Sequence, residues 1–268
     1  MREPIADFSD PRLDDYRNIP DSRLRVDDRV FIAEGRLVVR RLLESHRFPV
    51  RSLMVTAVAG DAVADALAAH PGLPVYEVEQ ETMNRVAGFD VHRGCLAIGE
   101  RIPCTDPEPL LTARRLVGLE AVGNADNVGS IFRHASAFGV GGVLLDGATV
   151  DPLYRKSLRT SMGAALTVPF ARIDDWLGAL ARCRRAGTSV IALTPALDAE
   201  PIESVASVLR REPAILIVGS EGEGLSAAAL DVCTVRARIP MQAGVDSLNV
   251  ATAAAIAMYE MSRVVGSG

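Results

Sequence analysis

The sequence predicts an α/β protein built from two units, and three observations carry that prediction. Short apolar runs of strand length alternate with helix-length amphipathic segments, the pattern that builds sheets covered by helices. A proline-rich stretch, Arg101-Ile-Pro-Cys-Thr-Asp-Pro-Glu-Pro-Leu110, interrupts the alternation and divides the chain into residues 1–100, a linker at 101–115 and residues 116–268. In the last third, two apolar runs end in small and polar residues, which is where open α/β sheets place their ligands.

The 268 residues, 49% hydrophobic and 24% charged, are enough for a substantial core and have the balance of a soluble globular chain. No apolar run reaches the roughly 18 to 20 residues that span a bilayer. The start, Met1-Arg-Glu-Pro-Ile-Ala-Asp7, lacks the apolar centre of a signal peptide, so a cytoplasmic location is expected. Cys95, Cys104, Cys183 and Cys233 are scattered without a CxxC pair, and His46, His70, His92 and His134 are equally dispersed. Reduced thiols are therefore expected, with neither a metal site nor a disulfide scaffold. A net charge of −5 argues against generic nucleic-acid binding through a strongly basic surface. Lys156 is the only lysine; arginine suits bidentate phosphate contacts, and arginine-biased codon usage accounts for the same fact.

Residues 1–29 alternate charges densely around few apolar groups and are expected to form a mostly solvated arm with one short helix. From Phe31 the pattern becomes regular: a helix over 34–45, a strand over 53–58, a helix over 61–70 stopped by Pro71-Gly72, a strand over 75–78, a short helix over 81–86 and a strand over 95–99. In the second unit, strands are expected at 116–119, 142–145, 189–193, 214–218 and 234–239, with helices near 128–138, 174–185 and 249–264.

Within the second unit, Gly123 to Gly139 follows the first strand. Asn127 offers an N-cap, Gly139 a stop, and Val128, Ile131, Phe132 and Ala135 an apolar stripe. Arg133 rises instead among Gly129, Ser130, Ser136 and Ala137, leaving room for something to lie against it; an ordinary surface arginine has the same local pattern. Further on, Arg155, Lys156 and Arg159 are the densest unopposed positive charge, which fits a phosphate contact and a solvated helix face equally.

Gly219, Gly222 and Gly224 allow the backbone to wrap closely around a small molecule. Glu221 and Glu223 would repel phosphate there, and neither a Walker pattern nor a complete GxGxxG is present, so a ligand would be neutral or cationic at its contact point. A plain strand-to-helix turn with two solvated glutamates fits this stretch as well. Ser247 or Asn249 can cap the next helix, whose stripe of Ala253, Ala254, Ala257, Met258 and Met261 permits close approach of a helix or another chain.

Three of these stretches together, Asn127-Val-Gly-Ser-Ile-Phe-Arg133, Ile217-Val-Gly-Ser-Glu-Gly-Glu-Gly-Leu225 and Ile239-Pro-Met241 with Asp246-Ser-Leu-Asn-Val250, resemble the signature motifs of the SpoU/TrmH branch of the SPOUT RNA methyltransferases. Order, spacing and strand-end position all match. Phe31-Ile-Ala-Glu-Gly-Arg-Leu-Val38 similarly resembles the small α/β ribosomal-protein-like substrate-binding domain found in many members. The chain departs from the pattern at Ala125-Asp126, where proline is common, at His134, where threonine is common, and at Ala251, where serine is common.

The resemblance implies a C-terminal SPOUT domain, an α/β trefoil knot that counting strands would have read as a Rossmann-like sheet. It implies S-adenosylmethionine as cofactor, a homodimer, and methyl transfer to a ribose 2′-hydroxyl of RNA, with ribosomal RNA ahead of transfer RNA as substrate. Carried onto this chain, Thr194, Gly219, Glu221, Ile239, Met241, Ser247 and Leu248 would hold the cofactor, and Asn127, Arg133, Glu221, Ser247 and Asn249 would form the catalytic lining. Arg155, Lys156 and Arg159 would meet the RNA. Because arginine side chains keep their proton, Arg133 is expected to position a phosphate or the attacking oxygen rather than to act as base. Two other classes remain open: an RNA-binding or ribosome-assembly protein of the same fold with little catalysis, and a nucleotide-dependent oxidoreductase, against which the incomplete glycine fingerprint argues.

Overall fold

The computed structural model describes residues 2–17, 29–102 and 106–262, with the backbone alone for 207–209. They group into two compact units, the described residues up to 102 with 152–167, and 106–151 with 168–262. The sequence reading had left 152–167 in the second unit; the structure packs this segment with the first.

The first unit is a five-stranded mixed sheet in the order β1-β4-β3-β5-β2. Its strands are β1 (Arg2–Pro4), β2 (Val30–Glu34), β3 (Val50–Val55), β4 (Val75–Glu77) and β5 (Cys95–Glu100). Strands β1, β4 and β3 run parallel, while β5 runs antiparallel to both β3 and β2. The helices are α1 (Arg36–Ser45), α2 (Ala57–Ala62), α3 (Ala64–Leu67) and α4 (Gln80–Ala87). The helix expected from residue 34 starts at Arg36 because Val30–Glu34 pairs with β5 and Gly35, at φ 90, turns the chain between them. The next helix begins earlier than expected, at Ala57, since the Thr56 side chain accepts a bond from the Ala59 N–H.

The solvated-arm reading is corrected for residues 2–17. Arg2–Pro4 extends the sheet, and Ile5, Leu13 and Tyr16 enter a core with Ile32, Met54, Met83 and Leu96. Tyr16 is fully buried, its hydroxyl 2.7 Å from Ser52 Oγ. Dense surface charge hid three anchors spaced too irregularly to read as a periodic stripe. Residues 18–28 of the expected arm lie outside the described residues.

The positive cluster at 155–159 is also corrected: its charge is opposed. It forms α7 (Arg155–Thr160), whose Arg155 places Nη1 2.8 Å from Glu34 Oε2 and its guanidinium 4.0 Å from the centre of the Phe89 ring. Arg159 reaches the same oxygen at 3.8 Å. Glu34 is 3% exposed and also accepts a bond from the His92 N–H, so a buried carboxylate from β2 neutralises charge brought by a segment 121 residues away.

The second unit is a seven-stranded, wholly parallel sheet in the order β10-β12-β9-β11-β6-β7-β8. Its strands are β6 (Arg115–Leu119), β7 (Gly142–Leu145), β8 (Phe170–Arg172), β9 (Ser189–Leu193), β10 (Glu200–Pro201), β11 (Ala214–Val218) and β12 (Val235–Arg238). Its helices are α5 (Glu108–Leu111), α6 (Ala125–Ala137), α8 (Trp176–Arg185), α9 (Ile202–Arg211), α10 (Ala227–Val232) and α11 (Val250–Ser262). The continuous apolar runs of β6, β9 and β11 suit the middle of such a sheet, buried on both faces. The proline-rich linker is shorter than expected, because Leu111 of α5 is buried in the second core and Arg115 opens β6; residues 103–105 are outside the description. The expected extension of α11 past residue 262 also falls outside it.

Replacing Arg155 by Ala would take the nearer cation from buried Glu34 and leave it Arg159 at 3.8 Å, and breaking a buried pair in this way costs about 3 to 5 kcal/mol. Chemical unfolding should show that loss, and a variant losing less than about 1 kcal/mol would mean that water or Arg159 takes over the pairing.

Candidate active site

The site is assembled at the C-terminal ends of parallel strands. Helix α6 starts three residues earlier than its apolar stripe suggested, because the cap is Asn124, whose side chain accepts from the Asp126 N–H. Asn127 is therefore not the cap; it lies in the first turn, 7% exposed, with its amide free to bond elsewhere. It donates from Nδ2 to Glu221 Oε1 at 2.6 Å and accepts at Oδ1 from Asn249 Nδ2 at 2.9 Å. Asn249 uses its own Oδ1 to cap α11, accepting from the N–H groups of Ala251 and Thr252. Three segments separated by 94 and 122 residues are thus joined by two side-chain bonds.

Glu221 stands on a hairpin after β11. Ser220 and Gly224 exchange two backbone bonds, 3.1 and 3.2 Å long, and Gly224 takes φ 72. The return limb crosses so close to Gly219 that a Cβ there would lie 2.1 Å from the Gly224 carbonyl carbon. Gly219 is required for this close backbone approach, while Gly224 supplies the left-handed turn.

Between this hairpin, the ends of β9 and β12, and the segment leading into α11 lies a cleft of about 510 Å³. Thr194, Gly219, Glu221, Ile239, Met241, Ser247 and Leu248 all line it, as does Asn249. Its charged lining is acidic, from Glu221 and Asp246, and among the described residues no lysine, arginine or histidine faces it. Asn127 braces the rim from outside the lining. Arg133 does not line the cleft; it is exposed on α6 and makes no hydrogen bond or ion pair among the described residues. Arg155, Lys156 and Arg159 belong to the first unit, where Arg155 and Arg159 meet Glu34.

Two residues near the site were given no role in the sequence analysis. Glu120, directly after β6 and 7% exposed, accepts from Trp176 Nε1 at 2.8 Å and from the Ser226 N–H at 2.9 Å. A lone acidic residue closing an apolar strand was the available signal. His134 shares a face of α6 with Asn127, seven residues away. Its Nδ1 is buried without a hydrogen-bond partner among the described residues. Burial, aided by the Arg133 charge and opposed by a backbone contact with Ala251, holds its pKa below the ordinary value.

A parallel α/β sheet with a cleft at its strand ends is the arrangement in which open α/β proteins hold small ligands, and comparison narrows the class. Residues 114–259 match the SpoU rRNA Methylase family. An uncharacterized tRNA/rRNA methyltransferase of Mycobacterium bovis is 42% identical over 97% of this chain and 92% of its own length. The crystal structure of an rRNA methyltransferase from Sinorhizobium meliloti, also solved with AdoMet bound, superposes with a TM-score of 0.78 at 27% identity, covering 97% of both chains. The chain belongs to the SpoU methylase family of RNA methyltransferases.

Gly219→Ala should force the hairpin open, at a cost of about 1 to 3 kcal/mol for overpacking. The amides of Ser220 and Gly224 would then exchange with deuterium faster than in the wild type, and unchanged protection would show that the clash is relieved elsewhere. Because the folded pKa of His134 is depressed, the unfolded chain binds its proton more readily. Stability present above the free value of 6.5 should therefore be lost as pH falls from there towards the folded value, and His134→Gln should flatten that dependence in thermal unfolding.

Proposed function

We propose that this protein transfers a methyl group from S-adenosylmethionine to a ribose 2′-hydroxyl of RNA, with ribosomal RNA ahead of transfer RNA. The observation that carries the reading is the Asn249–Asn127–Glu221 chain of hydrogen bonds, which ties three motif segments together at the rim of one cleft.

The lining suits the cofactor. A cleft with two carboxylates and, among the described residues, no facing cation disfavours phosphate and tolerates a sulfonium. Leu193, Ile239, Met241 and Leu248 offer apolar surface for a nucleobase, and Thr194 and Gly219 bring backbone groups to strand ends. When bound, S-adenosylmethionine supplies an activated methyl group. Asn249 and Asn127 hold Glu221 in place, so the polar rim needs little reorganisation when a ribose arrives. Ser247, exposed at the cleft, can hold a ribose hydroxyl. Arg133, exposed and without a partner among the described residues, is available to fix a phosphate or the attacking oxygen and to stabilise negative charge as the hydroxyl loses its proton to water or a neighbour.

The same reading makes the first unit a ribosomal-protein-like RNA-binding domain. Within it, Lys156 and Arg159 are exposed towards solvent, while the Arg155 guanidinium is committed to Glu34. It also carries a trefoil-knotted second unit, a homodimer and a cytoplasmic location; the stripe of Ala254, Ala257, Met258 and Met261 on α11 is buried within the chain, where the helix packs against α6 and α9, and does not supply the dimer face.

The test is transfer of labelled methyl to unmodified ribosomal and transfer RNA, followed by nucleoside mass spectrometry. A 2′-O-methylated nucleoside from ribosomal RNA is expected, with turnover reduced on the order of a hundredfold in Arg133→Ala. Near-normal turnover in Arg133→Lys would count against bidentate positioning, and methyl found on a base, or transfer to neither RNA, would overturn the proposal.

A further inference from the structure

We infer that Glu120 is a positioning residue for the cofactor: its buried carboxylate, held by Trp176, anchors Ser226 and thereby sets the hairpin that walls the cleft. The inference rests on the proposal that the cleft holds S-adenosylmethionine.

The hairpin has its own Ser220–Gly224 bonds and the Asn127–Glu221 bond, but Glu221, Gly222, Glu223 and Gly224 are all exposed, so no apolar burial backs them, and loops of that kind open easily. Its geometry is further set at its two ends. At one end Gly219 lets the Gly224 backbone lie against it. At the other, two residues beyond Gly224, the Ser226 N–H is bound by Glu120 Oε1 across 106 residues of sequence. Ser226 also caps α10, its side chain accepting from the Ala229 N–H, so the same residue fixes where the loop stops and the helix starts.

The remainder of the local structure holds Glu120 in that role. Trp176 Nε1 donates to its second oxygen, Oε2, so the two oxygens serve two donors from different elements. Gly118, two residues earlier on the same face of β6, makes room for the indole: a Cβ there would lie 2.8 Å from both Trp176 and Ile217. Ala121, next in sequence, is held at φ 55, a left-handed conformation costly for a residue with a Cβ, at the point where the chain leaves the strand. Glu120 does not line the cleft, and its effect on the cofactor passes through Ser226.

Glutamine is the informative replacement. It has one acceptor oxygen and an NH2 group, so it cannot accept from both donors, and one of them must face another donor. Wild type, Glu120→Gln and Trp176→Phe are compared by calorimetric titration with S-adenosylmethionine, methyl-transfer kinetics and thermal unfolding. Glu120→Gln should weaken cofactor binding on the order of tenfold, the loss expected when one hydrogen bond to a charged group no longer orders a loop. The loss should appear as a raised KM for the cofactor with kcat little changed. Trp176→Phe removes one bond to Glu120 but keeps the Ser226 bond, so it should lose thermal stability and weaken cofactor binding less than Glu120→Gln does. Equal affinity of Glu120→Gln and wild type, or an equal loss in both variants, overturns the inference. Should Glu120→Gln fail to fold, Glu120→Asp, one methylene short of both donors, takes its place with the same raised KM expected and an unchanged KM overturning it. A wild type that binds no S-adenosylmethionine instead refutes the cofactor assignment itself, whatever the variants do.

Discussion

Asn127 is the point on which the second unit depends. Its amide is buried, so both of its ends must be bonded, and the only way to do so here is to bring the hairpin after β11 and the start of α11 to the first turn of α6. An amide donates at one atom and accepts at the other, and each partner is matched to that polarity: a carboxylate receives, and the Asn249 side chain gives. Asn249 then spends its own oxygen on the helix cap, so one side chain both starts α11 and holds the site together. Exchanging any member of this chain for a residue of opposite polarity would leave a buried group unpaired.

The cleft wall is a backbone construction supported by side chains from below. Gly219 and Gly224 permit an approach that no side chain could share. Glu120 and Trp176, buried beneath, turn the rigidity of the central strands into a fixed position for Ser226. This division of labour leaves the cleft surface small, acidic and flexible in chemistry while the precision comes from the sheet. The first unit uses a comparable device for another purpose: Glu34 binds α7 to its sheet through Arg155, so one cation of an apparently basic cluster is structural while Lys156 and Arg159 stay exposed.

How much was legible follows from the range of each interaction. Strands at 142–145, 189–193 and 214–218 are found where their apolar runs placed them, because burial on both faces leaves an unbroken signal. The stripe of Val128, Ile131, Phe132 and Ala135 is buried, and Gly139 does end α6, its left-handed φ of 65 following bonds from the last turn. Short edge strands such as β1, β8 and β10 were missed, since two or three residues carry no period. The cap of α6 was misplaced from Asn124 to Asn127 because two asparagines stand near the helix start, and only the distant partners of the second one show which is free to cap.

By itself the sequence determined the α/β class, the main strands, and the three motif stretches from which the family and the cleft-lining residues followed, since these are properties of local composition and order. Tertiary structure alone decided that Glu34 opposes Arg155, that Tyr16 and Leu13 are core, that Glu120 is satisfied from two elements, and that Arg133 remains exposed outside the cleft. The physical reason is that a charge or an amide has no fixed role until its partner is known, and in this chain those partners lie 56 to 122 residues away.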